Sequence, residues 1–183
     1  MKFPEWLEAP KELFEIDGHC GLLAAWSVLR YFGKPTDVPM LVRTCRHTKR
    51  HGVFTVCLAT CLKEHGLQVS FHSDPDTNIG EFERRGYTHA HRLGLIVGPA
   101  LDLPILLRAR KRGHIPIVFF NTSSDVGHFS PLLALRHGVL RLPMAEGGTM
   151  PLSEFLAGWS APGILRQSVI AGPLVESPIF PVP

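Results

Sequence analysis

No run in this sequence approaches the ~18 consecutive apolar residues of a membrane-crossing helix, so no segment is expected to span a bilayer. Internal repeats and low-complexity tracts are also missing, which argues against solenoids and arrays. There is no glycine-rich phosphate loop and no zinc-finger spacing, and no cofactor or resident metal is expected. Cysteine is scarce: four thiols in 183 residues, at positions 20, 45, 57 and 61, do not make a disulfide framework. Excess charge is scarce too. A formal net charge of +3 does not imply nucleic acid, although basic residues gather in 43–51 and 108–114. Those clusters read first as solvated faces and second as a salt-sensitive nucleic-acid surface. The first eighteen residues carry acidic side chains and no apolar run, unlike a secretory signal. A cytoplasmic address follows, with signal-independent secretion as the alternative.

What is present is an ordinary apolar content, 45% hydrophobic against 19% charged. A chain of this length buries roughly 70% of its unfolded surface and needs no covalent staple. We expect one domain over 1–183, with 1–18 an N-terminal arm and 172–183 an extended C-terminal strap. The clearest helix is CGLLAAWSVLRYFG (20–33), whose Leu22, Leu23, Trp26, Leu29 and Phe32 recur at three- and four-residue steps. Gly33 and Pro35 stop it. Further helices fit 38–45, 54–64, 102–112 and 150–159, the last with Ser153 as cap. Strands fit LQVSFH (67–72), IPIVFF (115–120), HFSPLLALRH (128–137), VLRLP (139–143) and LRQSVIA (165–171), with a hairpin at Gly138. Residues 73–100 give no clear pattern. Helices first and strands later predict an α+β fold, N-terminal helices packed against an antiparallel sheet.

Cys20 opens the strongest helix. Unpaired N–H groups there favour a thiolate and can stabilise an oxyanion, with Gly21 leaving room for a substrate carbonyl. The bland alternative is a small buried hydrophobe. A nucleophilic cysteine needs a base, which can lie far away in sequence. His128, after Gly127 at the start of a strand, is the best candidate. Two metal constellations compete. Cys57, Cys61 and His65 fall near one helix face, with Cys45, His47 or His51 as further ligands, but positions eight apart on a helix are separated by about 12 Å along its axis. His89 and His91 would share a face if they lay on a strand. Neither is preferred over a structural role.

Four segments in order resemble a known family: IDGHCGLLAAWSVLRYFGK, GVFTVCLATCLKEHGLQV, LLRARKRGHIPIVFF followed by GHFSPLLAL, and GVLRLPMAEGGTMPLSEFLAGW. Over about residues 14–160 they look like the bacteriocin-processing (C39-like) branch of the papain-like cysteine peptidases. The resemblance implies a papain-like fold, Cys20 as nucleophile and His128 as base. It implies a bacterial cysteine-dependent hydrolase of peptide, isopeptide or related amide bonds, with a small residue such as glycine before the scissile bond. Acyl transfer through the same thioester is one alternative. A catalytically silent module that binds a peptide or protein is another, and no transporter domain accompanies the segment, so a free-standing protease or effector fits best. Two departures stand out. The family's Asp or Asn before a proline is here Leu142 before Pro143, and its oxyanion glutamine is here Phe14. Glu146 is the first substitute for the residue that orients His128, ahead of Asn121 and Asp125. The Cys20 backbone N–H and His19 are the substitutes at the oxyanion.

Overall fold

The computed structural model describes residues 2–4, 8–124 and 126–174. A short helix, α1 (Lys11–Phe14), is followed by α2 (Cys20–Tyr31), α3 (Val38–Thr44) and α4 (Thr55–Glu64). Then come β1 (Leu67–Ser73), α5 (Glu81–Arg92), β2 (Ile96–Pro99), α6 (Leu103–Lys111), β3 (Ile115–Asn121) and β4 (Gly127–Pro131). The chain continues through β5 (Ala134–Arg136), β6 (Val139–Arg141), β7 (Thr149–Pro151), α7 (Leu152–Trp159) and β8 (Ser168–Pro173).

The main sheet runs β2-β1-β8-β3-β4, and β5-β6-β7 form a smaller sheet. The expectation of a purely antiparallel sheet is corrected by β2, which pairs with β1 in parallel. Helix α5 makes the crossover that such a pair requires. The fold is thus α+β with a mixed sheet. Residues 21–29 of α2 are all buried, so this helix is apolar on every side and lies inside the molecule. It stops where Gly33, at φ +68°, turns the chain and the Lys34 N–H bonds the Leu29 carbonyl at 2.8 Å. In α3 the Asp37 carboxylate caps the Met40 N–H at 2.7 Å, with Pro39 in the first turn.

Two apolar layers sandwich the main sheet. Ile115 and Ile117 pack with α2 and α4 on one face, and Val118 and Phe120 pack with α6 and α7 on the other. A strand covered on both sides reads as a continuous apolar run, as IPIVFF does. Phe71, Phe120 and Phe155 are among the largest fully buried side chains, each stabilising the fold by roughly 1.5–3 kcal/mol.

Several boundaries differ from expectation. The arm at 1–18 is not wholly irregular: α1 forms there and buries Leu13 completely. The single strand over 128–137 divides. The Leu132 N–H bonds Pro116 of the main sheet while the Leu133 N–H bonds Arg141 of the small one, so the chain changes sheet between them. Ser153 lies inside α7, whose cap is Pro151, and makes no capping bond. Of the strap at 172–183, residues 172 and 173 belong to β8, and 175–183 lie outside the described residues. The Gly138 hairpin is found as β5–β6. Among the described residues no helix is long and apolar enough to cross a membrane.

Candidate active site

Cys20 is the first residue of α2, and the start of that helix is pressed onto the edge strand β4. Gly21 permits the contact: a Cβ there would stand 2.8 Å from Val53 Cβ and 3.3 Å from Phe129 Cδ2. On its Cβ side, the room that Gly21 leaves is taken up by Val53 and Phe129. The turn before the helix is held by the 47–52 loop, in which Thr48 and Gly52 exchange hydrogen bonds of 2.9 and 2.8 Å. His47 Nε2–H donates to the Asp17 carbonyl at 2.7 Å.

Helix-start donors were expected to make the thiol acidic. Burial outweighs them and pushes the Cys20 thiol above its ordinary value, while the N–H groups of Phe129, Gly21 and Cys20 itself pull it back in part. Phe129 can donate because β4 is the edge of its sheet, where outward N–H groups have no strand partner.

His128 precedes Phe129 on β4. Its ring meets Phe120 edge-on at 5.7 Å, and its Nε2–H donates to the Met144 carbonyl at 2.6 Å. In the neutral ring this bond leaves Nδ1 as the nitrogen with the lone pair. Met144 is itself tied to β4, its N–H donating to Ser130 Oγ at 3.2 Å. Burial lowers the His128 pKa, the Met144 carbonyl opposes that, and the charge of His19 adds to the lowering. Both shifts favour a neutral thiol and a neutral imidazole at rest.

Leu142, the residue before Pro143, is fully buried in the second apolar layer. The hydrogen bond that orients His128 comes from a main-chain carbonyl two residues later. Glu146 is exposed at the start of a short 3-10 turn, on the rim of the cavity that His128 lines. Asn121 pairs with Gly127 across the β3–β4 hairpin, and Asp125 lies outside the described residues. His19 caps α2, and its Nδ1–H donates to the Ile16 carbonyl at 2.8 Å. Its Nε2 can therefore donate only when the ring is doubly protonated. Phe14 meets the His19 ring edge-on at 5.8 Å and lines the same cavity.

Cys20 stands at the junction of two cavities. One, of about 430 Å³, is lined by Phe14, His19, His128 and Met144. The other, of about 420 Å³, is lined by Val53, Phe54, Glu83, Phe129 and Gln167. A further cavity, about 600 Å³, lies between Phe3 and the small sheet and is lined by neither cysteine nor histidine. Sequence reasoning missed the Met144 carbonyl and the Phe129 N–H, main-chain groups with no residue signature. It also missed Glu83 and Gln167.

The competing constellations do not assemble. Cys61 contacts His65 Nδ1 at 3.8 Å and Thr44 Oγ1 at 3.1 Å, and its pKa is lowered by the Cys45 thiol first and His65 next. No group of three or more potential ligands converges among the described residues. His89 and His91 lie on helix α5, not on a strand, so they point to different sides. His89 Nε2 meets Glu64 Oε1 at 2.6 Å.

No protein-family model matches the sequence, and no match was found among curated proteins. Among solved structures the chain is similar to the peptidase domain of Streptococcus ComA, a bifunctional ABC transporter involved in a quorum-sensing pathway. The match has 12% identity and a TM-score of 0.56, covering 84% of this chain and 90% of that one. The protein thus shares, at low identity, the α+β fold of a papain-like cysteine-peptidase domain.

Proposed function

We propose that the protein is a cysteine-dependent hydrolase of peptide, isopeptide or related amide bonds, with Cys20 as nucleophile and His128 as base. The observation that carries this reading is that both side chains line one cavity while a main-chain carbonyl fixes the tautomer of His128. The Met144 carbonyl then serves in place of the absent Asp or Asn, and Glu146 is left as a rim residue. His128 Nδ1 takes the thiol proton as substrate arrives, and the sulfur attacks the carbonyl carbon. The helix-start N–H of Cys20 faces the developing oxyanion, with His19 a second donor when doubly protonated. Nδ1–H protonates the leaving amine, and water deprotonated by His128 releases the acyl group from the thioester. An amine in place of water gives acyl transfer. Phe14 supplies no oxyanion donor, and the absence of one such donor costs about 3–4 kcal/mol in the transition state, so turnover is expected to be slow.

The neutral resting pair, with Phe14 at the cleft, favours a second reading: a peptide-binding module on the same fold. Peptide-aldehyde and vinyl-sulfone probes separate the two. Hydrolase chemistry predicts labelling of Cys20 that is lost in C20A and slowed about 10²-fold or more in H128A. Labelling of Cys20 that is indifferent to H128A rejects it.

A further inference from the structure

His128 lines only one of the two cavities that meet at Cys20, the one shared with Phe14 and Met144. In the hydrolase reading the proton for a leaving amine comes from His128, which puts the leaving group on that side. The acyl part of the substrate is then directed into the other cavity, toward Val53 and Phe129.

That second cavity has an unusual wall. Glu83 lines it and is only 8% exposed, yet it has no hydrogen bond or ion pair among the described residues. Its burial has a local cause. Gly86, one turn later on α5, lets that helix close on α4, where a Cβ would come 2.9 Å from Val56 Cγ1 and 3.0 Å from Cys57 Sγ. Glu83 shares the face and is carried inward with it. Asp76 lines the same cavity and adds negative charge. The Gln167 amide is oriented by the Thr55 hydroxyl, which donates to its Oε1. The rim carries Lys49, Arg50 and His51, all exposed, so solvent and salt screen them. The Glu83 carboxylate keeps access to the cavity while the rest of its side chain is buried, so it is screened less than the rim charges, and a cation reaching it relieves the cost of its unpaired, partly desolvated charge.

We propose that this cavity holds the acyl part of the substrate, and that Glu83 at its wall selects a peptide bearing a cationic side chain, arginine or lysine, on that side of the scissile bond. The assignment of sides rests on the hydrolase reading. The cation preference does not.

The test uses fluorescein-labelled peptides of alanine and glycine in which arginine, or its neutral isostere citrulline, is scanned through successive positions before a terminal glycine. Binding to the C20S protein is read by fluorescence polarisation. At one position arginine should bind about tenfold tighter than citrulline, and E83Q should bring the ratio close to one. Equal binding of the two series at every position, including no binding by either, overturns the proposal. So does an arginine preference that survives in E83Q. The arginine–citrulline comparison is made within one folded protein, so it stands even if E83Q fails to fold. The same peptides with a vinyl-sulfone terminus, reacted with wild-type protein, report separately on the catalytic reading. Arginine-selective binding without Cys20 labelling rejects hydrolysis and retains the cation site.

Discussion

The chemistry of Cys20 is a contest between a helix start and burial, and burial prevails. Its reactivity relative to the other thiols still follows from access, since Cys45, Cys57 and Cys61 are fully buried and Cys20 is not. Iodoacetamide should therefore alkylate Cys20 first, as read by peptide mass spectrometry. Because the thiol pKa is raised above 9.0, the rate should still be climbing at pH 9. A plateau near neutral pH would mean a preformed thiolate–imidazolium pair. Gly127, beside His128, is equally constrained. A Cβ there would lie 2.4 Å from Phe119 Cζ, so G127A should lose about 1–3 kcal/mol of stability, measured by urea unfolding. An unchanged midpoint would show that Phe119 can move aside without cost.

At the scale of elements, the site is a strand edge stitched to a returning loop. Ser130 holds the Met144 N–H, and Met144 holds His128. S130A should cost about 1–3 kcal/mol by leaving a part-buried N–H unpaired. It should also lower the His128 pKa further, because the Met144 carbonyl is what raises it, and an NMR titration of the ring reads this directly. A His128 titration that does not move would show that the loop holds itself. This arrangement also explains what the sequence could reveal. α2, α4, β3 and the β5–β6 hairpin were legible because periodicity, apolar runs, Gly33 and Gly138 are local signals. The parallel β1–β2 pair and the break between β4 and β5 depend on partners distant in the chain, so no local pattern marks them. Cys20 and His128, which line one cavity, are singled out in the sequence by residue type and placement. Their orienting groups are not, because a carbonyl and an N–H occur at almost every position. Glu83 was hidden because α5 has few apolar residues, and its inward face is marked chiefly by Gly86 and Ala90.

For the molecule as a whole, burial lowers the pKa of both His72 and His128 from 6.5. Below that value the unfolded chain binds protons at these two sites that the folded one resists, against one opposing group, His65, whose pKa the Cys61 side chain raises, so stability should fall as the pH drops from about 6.5 through the lowered folded values. Urea midpoints taken from pH 7.5 to pH 5 test the sign, and a rising midpoint toward acid would contradict it. Within the main sheet, β8 lies between β1 and β3 and pairs with both. A chain ending at Gln167 loses both ladders and should show no cooperative unfolding transition; a sharp one would mean that β1 and β3 can join without it. The same placement carries a consequence for synthesis on the ribosome. Helix α2 and the sulfur at its mouth emerge well before the strand that unites the two halves of the sheet. Long-range pairing of this kind is slow to form. A growing chain therefore carries its thiol without the finished groove around it, and any capacity to cut begins only when the late strand slides into place.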